Sequence, residues 1–162
     1  MFNCPGCYRM FWQEYSKHLS SKIKMLHITE LVDKYVKSGR IKLGMSAEKI
    51  TYHDPCELAR LSGVIREPRH VLNNLTTQFV ELPENKFNVR CCGGGGLFKA
   101  ANTQKSLDIA RKRIEEAEKI GATTLTAACP SCYETLGQAA HFKKSNVKVI
   151  DISEAVAQQL EQ

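Results

Sequence analysis

Five of the seven cysteines form one ordered series along the chain. Cys56 is followed after 34 residues by the adjacent pair Cys91 and Cys92, and after 36 more by Cys129 and Cys132, which are separated by two residues. Thiolates with this spacing meet at one point only if the intervening secondary structure folds back repeatedly. Such a meeting produces a metal centre, and the two chemistries open to it are a zinc site and an iron–sulfur cluster.

Four consecutive glycines, residues 93–96, directly follow the cysteine pair. Glycine lets the backbone approach a bulky inorganic core closely, and its N–H groups can hydrogen-bond to the sulfurs and tune the redox potential. We therefore expect Gly93, Gly94 and Gly95 to bind the cofactor. Nucleotide binding is disfavoured, because a dinucleotide fingerprint starting here needs glycine at position 98 or 99, and no Gly-Lys-Ser/Thr ending is present for a phosphate loop.

The segment that leads into Cys56 reads Tyr-His-Asp-Pro-Cys. It predicts a strand that ends in a proline-containing turn and holds the thiol at the rim of a sheet. His53 has two interpretations here, a ligand or proton donor on one side and a hydrogen-bonded turn residue on the other. Asp54 is expected to be a turn or helix-cap residue.

The segment from Cys129 to Cys132 follows an apolar strand and opens a helix over residues 133–141. A helix N-terminus lowers the pKa of a thiol and favours the thiolate, either for metal binding or for disulfide exchange. A dithiol exchange protein acting through these two cysteines alone is a further hypothesis, and it predicts that Cys56→Ser leaves activity intact. Three additional cysteines at ordered spacing argue against it.

Strand and helix patterns alternate through the second part of the chain. Apolar runs at residues 49–53, 123–128 and 147–152 predict short buried strands, the first two leading directly into cysteines. Helical spacing predicts a helix over residues 103–120, which Gly121 ends, and a shorter one near Pro68. The fold class is therefore α/β, with a mostly parallel sheet flanked by helices and the metal site at the carboxyl ends of the strands.

The chain contains an internal repeat. Cys-Pro-Gly-Cys-Tyr at residues 4–8 recurs as Cys-Pro-Ser-Cys-Tyr at residues 129–133, and each copy predicts the order cysteine pair, helix, short strand, helix. The first copy has no upstream equivalent of the other three cysteines. We therefore expect residues 1–46 to be the second half of one module and residues 47–162 to be a complete module. Tyr8, Phe11, Trp12 and Tyr15 lie at helical spacing, and we expect them to pack on the core. If the chain is a fragment, the alternative is that this face covers the missing half module.

Composition narrows the function classes. The formal net charge is +6, but lysine and arginine are scattered, and the one tight basic group at residues 111–113 precedes three glutamates, so it indicates a solvated helix face rather than a nucleic-acid surface. No apolar run reaches the roughly 18 residues of a membrane span, and no export signal is visible, so we expect a cytoplasmic protein. An odd number of cysteines disfavours a disulfide scaffold. The remaining histidines are expected to be structural or on the surface: His18, His27, His70 and His141.

The cysteine order, together with the words His-Asp-Pro-Cys at residues 53–56, Cys-Cys-Gly-Gly-Gly-Gly at 91–96 and Cys-Pro-Ser-Cys-Tyr at 129–133, resembles the cysteine-rich CCG domain of heterodisulfide reductase. Related iron–sulfur oxidoreductases include subunits of glycolate, lactate and glycerol-3-phosphate oxidising systems. In heterodisulfide reductase each such motif holds a non-cubane [4Fe-4S] cluster that splits a disulfide one electron at a time. Some members of the family hold zinc at one motif instead.

The resemblance implies the cluster ligands and the partners of this chain, and it also implies that the chain does not turn over alone. The cluster ligands would be the five cysteines of the series, with catalysis at two of them, Cys91 and Cys92. The partners would be other redox subunits of ferredoxin, flavin or membrane haem type, and the substrate a small thiol or disulfide. Ferredoxin-type C-x2-C-x2-C-x3-C-P segments, which deliver electrons in full-length relatives, are absent from the sequence. We therefore expect no turnover by this chain alone, and a structural zinc module of an oxidoreductase complex is the alternative.

Overall fold

The computed structural model describes residues 1–20 and 23–160. Its strands are β1 (Ile50–His53), β2 (Val80–Glu81), β3 (Thr124–Ala127) and β4 (Lys148–Asp151). Its helices are α1 (Pro5–Gln13), α2 (Ile28–Lys37), α3 (Cys56–Ser62), α4 (Arg66–Asn73), α5 (Gly96–Ala101), α6 (Thr103–Lys119), α7 (Pro130–Lys143) and α8 (Ile152–Gln158). Across these described ranges, no helix combines the length and the apolar composition that crossing a bilayer requires.

The strands form one parallel sheet in the order β2-β1-β3-β4. Every residue of the two central strands is buried, as parallel strands covered by helices on both faces require. The buried hydroxyls satisfy themselves on neighbouring strands: Thr51 Oγ1 donates to Val80 O at 2.7 Å, and Thr126 Oγ1 donates to Thr51 O at 3.0 Å. The prediction of an α/β fold with a mostly parallel sheet flanked by helices is confirmed.

Alternate residues of the central strands face two separate parts of the core. Ile50 and Tyr52 pack on one face of the sheet with Leu58 and Leu72, whereas Leu125 lies in the cluster on the other face. His53 and Ala127 are directly paired at the ends of β1 and β3. Because both strands run in the same direction, the segments that follow them emerge at the same edge of the sheet.

The internal repeat is visible at the cysteine pairs. Cys4 and Cys129 are the N-cap residues of α1 and α7, and each helix has proline in its first turn. Phe2 forms a parallel bridge with His27, as Ala127 pairs with Asp151 in the second copy. The strand expected in the first copy is therefore reduced to a single bridge.

The helices that follow these bridges begin in the same way. His27 caps α2 and Glu30 bonds back to its N–H at 2.8 Å, and Asp151 caps α8 with Glu154 in the equivalent role. Each pair is a capping box, which satisfies backbone N–H groups that have no partner inside the helix. The two copies thus share the start of both of their helices.

The aromatic side chains in α1 and directly after it are not all in the core. Tyr8 is buried, but Phe11, Trp12 and Tyr15 are 42%, 49% and 51% exposed. The expectation that the whole face packs on the core is therefore wrong. The reason is that α1 packs on one side only, where Arg9 pairs with Glu57 of α3, and no described element covers its other side. The exposed aromatic face is free to meet another surface.

Some elements differ from the sequence prediction in extent. Helix α4 begins at Arg66 rather than near Pro68, and α7 begins at Pro130 rather than three residues later. Strand β2 and helices α3 and α5 were not predicted, because two to seven residues carry too little periodic signal. The segment expected to join the two modules is held in place, since Gly44 N–H donates to Gln159 O at 2.7 Å.

His27 is fully buried as a neutral imidazole. Its Nδ1 lies 2.9 Å from Thr29 Oγ1 and accepts from Thr29 N–H, and its Nε2 lies 3.3 Å from Asn3 O. Burial lowers the pKa of His27 to about 4, because the charged ring would lose its hydration and its accepting nitrogen.

We expect acid to destabilise the protein through His27. The unfolded chain binds a proton near pH 6.5 and the folded chain only near pH 4, so stability present above pH 6.5 falls by roughly 3 kcal/mol between these values. His27→Asn keeps a capping side chain but removes the titration, so its urea-unfolding free energy should depend less on pH across this window. The control is His141→Asn, at an exposed position. Equal pH dependence of wild type and His27→Asn would contradict the assignment.

Candidate metal centre

Three separate segments bring the cysteine series to one edge of the sheet. Cys56 is the first residue of α3, directly after β1, and Cys129 and Cys132 lie at the start of α7, directly after β3. Cys91 and Cys92 come from the loop before α5. All five line one cavity of about 210 Å³. The sequence predicts that Cys56 and Cys129 lie at the carboxyl ends of strands, and they do, after β1 and β3.

The five thiols form a continuous line of contacts. Cys92 Sγ lies 3.2 Å from Cys132 Sγ, Cys91 is hydrogen-bonded to both Cys56 and Cys92, and Cys129 is hydrogen-bonded to Cys132. None of the cysteines is in a disulfide. Sulfurs from residues that are far apart in sequence are therefore neighbours in space.

Because of these contacts, the thiols have different pKa values. Hydrogen bonds from Cys56 and Cys92 lower the pKa of Cys91, and the hydrogen bond from Cys132 lowers the pKa of Cys129 to about 7. The hydrogen bond to Cys91 and burial raise the pKa of Cys56, and the hydrogen bond to Cys129 raises the pKa of Cys132. Full ionisation of all five needs a cation to offset the repulsion, which is what a metal centre supplies.

Two of the glycines direct their N–H groups at the sulfurs. Gly93 N–H donates to Cys91 Sγ and Gly94 N–H donates to Cys92 Sγ, both at 3.3 Å. Gly93 has φ +82°, and a Cβ at that position would lie 2.6 Å from the carbonyl oxygen of Ser106. Gly94 and Gly95 line the cavity. The assignment of these glycines to cofactor binding stays a prediction, and this placement is what it requires.

We expect Gly94→Ala to destabilise the protein by about 1–3 kcal/mol, the usual cost of overpacking, whereas Gly95→Ala should be nearly neutral. A Cβ at Gly94 would lie 2.5 Å from Thr135 Oγ1 and 2.7 Å from Ser131 O, whereas a Cβ at Gly95 meets nothing within 4 Å. Urea unfolding of metal-free protein measures both variants. Equal stability of the two variants would show that the close approach at Gly94 is not needed.

His53 lies beneath the sulfurs. It is fully buried, its ring nitrogens have no hydrogen-bond partner among the described residues, and a ring nitrogen lies within 4.8 Å of Cys92 Sγ and Cys132 Sγ. Burial lowers the pKa of His53 to about 3, so the ring is neutral. The interpretation as a hydrogen-bonded turn residue is therefore wrong for the side chain.

Asp54 is neither a turn nor a cap residue in its side-chain contacts, and that expectation is wrong. Its two carboxylate oxygens accept from Arg69 Nη1 and Nη2, each at 2.8 Å, and Oδ2 also accepts from Lys86 N–H at 2.9 Å. Arg69 binds Glu81 as well and lies over the Tyr52 ring. This network ties the end of β1 to α4 and to the loop that leads to Cys91. Its partners are distant in sequence, so no local pattern indicates it.

Arg113 lies inside the protein. This corrects the interpretation of the basic group at residues 111–113 as a solvated helix face. Arg113 is fully buried, donates to Pro83 O at 2.9 Å and pairs with Glu116, and its Nε and Nη2 have no partner among the described residues. Its charge lowers the pKa of His53, although less than burial does. The signal that places it inward is its position within the apolar stripe of α6, three residues after Ala110.

A sixth cysteine lines the same cavity. Cys4, the N-cap of α1, borders it together with Gly6, whereas Cys7 is exposed. The sequence assigned Cys4 and Cys7 to a different module. The fold nevertheless brings the first cysteine pair beside the series that starts at Cys56.

The segment that contains these cysteines matches a known protein family. A family model described as a CCG cysteine-rich domain matches residues 50–137, more than half of the chain. One subunit of the dihydromethanophenazine:CoB–CoM heterodisulfide reductase of Methanosarcina acetivorans is 35% identical over 164 residues, which cover 99% of this chain and 40% of that protein.

Two bacterial proteins are also similar to this chain. The probable iron-sulfur-binding oxidoreductase FadF of Bacillus subtilis is 30% identical, over 95% of this chain and 22% of its own length. Lactate utilization protein A of the same organism is 38% identical, over 67% of this chain and 44% of its length. The chain therefore spans less than half of each of these relatives.

Proposed function

The chain belongs to the CCG cysteine-rich domain family, and from this membership we propose that it is the cluster-binding portion of an iron–sulfur oxidoreductase of the heterodisulfide reductase type. The proposed cofactor is a [4Fe-4S] cluster of the non-cubane kind. Its proposed ligands are the five cysteines of the ordered series, Cys56, Cys91, Cys92, Cys129 and Cys132.

One observation carries the proposal: five thiols from three separate segments line a single cavity, in which Cys92 Sγ lies 3.2 Å from Cys132 Sγ. Amide N–H groups of Gly93 and Gly94 already point at two of the sulfurs. A protein interior that gathers five ionisable thiols without disulfides favours metal-bound thiolate. The donor set and the glycine loop thus fit an iron–sulfur group.

The chain's own geometry gives the centre an open side and a closed side. Cys91 is exposed and Cys56 is half-buried, whereas Cys132 is buried against the sheet. A bound cluster supplies one-electron redox chemistry. We place the encounter with a thiol or disulfide substrate, or with a partner redox subunit, on the side of Cys56 and Cys91, while the buried side holds the ligands in position.

We also propose that residues 1–46 are the second half of one CCG module and residues 47–162 a complete one. The matching helix starts at Cys4 and Cys129 and the matching capping boxes at His27 and Asp151 support this division. By this correspondence Cys4 and Cys7 are the closing pair of the first module. Iron analysis of Cys4→Ala tests it, since iron at the five-cysteine centre should be unchanged.

The first experiment is metal and acid-labile sulfide analysis of anaerobically prepared protein, with EPR after thiol oxidation. About four irons and about four sulfides per chain, with a paramagnetic oxidised state, are the expected result. About one zinc and no sulfide would overturn the proposal.

A structural zinc module is the second candidate. The observation that favours it is the approach of His53 to Cys92 and Cys132, because mixed histidine and cysteine sites are typical of zinc. Zinc would hold the segments together and contribute to folding without redox chemistry. Colour separates the two candidates at once, since cluster-loaded protein is brown and zinc protein is colourless.

A further inference from the structure

His53 is a buried polar group without a partner. It is the last residue of β1, its side chain is 0% exposed, and its two ring nitrogens lack hydrogen bonds within the described part of the chain. An unsatisfied buried donor or acceptor costs about 1–3 kcal/mol, so folded proteins rarely keep one without a reason. The ring therefore needs a partner that the surrounding side chains do not supply.

Among the groups around the His53 ring, only the cysteine sulfurs are available to accept a hydrogen bond from its N–H. Arg113 approaches from α6, but a guanidinium only donates hydrogen bonds. The Asp54 carboxylate is already engaged by Arg69 and by Lys86 N–H. The sulfurs of Cys92 and Cys132 are within 4.8 Å of a ring nitrogen. Thiol sulfur is a weak acceptor, but thiolate sulfur bound to a cluster accepts N–H hydrogen bonds.

Backbone donors distinguish Cys132 from the other four ligands. Gly93 and Gly94 serve Cys91 and Cys92, Glu57 N–H serves Cys56, and N–H groups at the start of α7 serve Cys129. Among the described residues, Cys132 Sγ accepts a hydrogen bond from Cys92 Sγ at 3.2 Å, and no backbone N–H donates to it. Of the two sulfurs beside the ring, Cys132 Sγ is therefore the one without a backbone donor, and the proton of Cys92 that it accepts is lost when both thiols bind a metal.

We propose that, in the cluster-bound centre, His53 donates a ring N–H hydrogen bond to Cys132 Sγ. This hydrogen bond raises the reduction potential of the cluster. This inference rests on the proposed function. A donor at the ligand sulfur stabilises the more negative, reduced state, and the water-free site strengthens the interaction. His53 is a positioning residue, because it acts on the redox group through its ligand.

The test compares His53→Leu, His53→Gln and His53→Asn with wild type, all loaded with cluster. Iron and sulfide content and the midpoint potential from an EPR-monitored redox titration are measured. We expect His53→Leu to keep the cluster and to shift the oxidised-to-reduced ratio about tenfold, equal to a potential about 59 mV lower for a one-electron couple. Glutamine or asparagine should restore part of the shift, since the amide group can donate.

The matched control is Thr135→Val. Thr135 Oγ1 is also buried and unpartnered in the described structure, and it packs against Gly94. Its removal should leave the potential unchanged. A fully loaded His53→Leu protein with the wild-type potential would overturn the inference, as would loss of iron in all three His53 variants, which would identify the ring as a ligand instead.

Pulsed EPR on wild-type protein with ¹⁵N-labelled histidine rings keeps the inference testable if His53→Leu fails to fold. We expect a weak coupling between the cluster spin and one ring nitrogen that disappears in His53→Gln. No coupling, or the strong coupling of a directly bound nitrogen, would overturn it. Wild-type protein without iron or sulfide would instead overturn the proposed function, and this inference with it.

Discussion

We expect the replacement of Cys92 by alanine to abolish metal binding at the proposed five-cysteine centre, and the replacement of Cys91 to do the same. Cys92 links the two halves of the line of sulfurs, because it contacts Cys91 on one side and Cys132 on the other. We expect metal affinity to fall by more than about 100-fold, beyond the 10–100-fold loss that is typical when only a supporting residue is changed. Iron and sulfide per chain after anaerobic reconstitution measure the effect.

Cys7→Ala is the matched control, since it also removes one cysteine. Cys7 is exposed in the first turn of α1 and does not line the cavity that holds the five thiols. This variant should keep the iron of the five-cysteine centre. If Cys91→Ala and Cys92→Ala both retained full metal, the ligand assignment would be wrong.

Asp54→Ala should lower the free energy of unfolding by about 3–5 kcal/mol, the usual cost of breaking a buried ion pair from one side. The change removes one of the two carboxylates that bind the largely buried Arg69 guanidinium, so that only the partly exposed Glu81 remains to offset its charge. It also removes the acceptor of Lys86 N–H, which helps to hold the loop before Cys91. Urea unfolding of metal-free protein gives the value directly.

Asp108→Ala provides the comparison for this prediction. Asp108 pairs with Arg111 on the exposed side of α6, where an ion pair contributes at most about 1 kcal/mol. The double variant Asp54→Ala/Arg69→Met should recover part of the loss, because it also removes the buried guanidinium that would otherwise have Glu81 as its remaining acidic partner. An effect at Asp54 as small as the effect at Asp108 would show that the network is not needed for stability.

The sequence predicted those parts of the molecule that depend on local pattern and on strand direction. Cys56 and Cys129 follow the buried strands β1 and β3, and parallel strands place their carboxyl ends together, so the meeting of these thiols could be expected. Asp54 and Arg113 were misassigned because their partners depend on chain segments that approach only in the folded state.

His53 and the aromatic face of α1 show, in a different way, what could not be predicted from the sequence. The sequence left His53 between two roles, since the same word fits a turn and a functional group, and only the three-dimensional contacts show a ring without a partner beside the sulfurs. The spacing of Phe11, Trp12 and Tyr15 correctly indicated a helix, but periodicity cannot tell whether the surface that a helix face meets lies within the chain.

The two capping boxes respond to acid in opposite ways. His27 has a lowered pKa, so protonation is linked to loss of structure around α2, whereas burial raises the pKa of Asp151, so protonation there does not oppose folding. Two helix starts with the same capping geometry thus differ in their response to protons. Acidification from pH 6.5 toward pH 4 should loosen the start of α2 through His27, whereas protonation of Asp151 does not oppose folding at the start of α8.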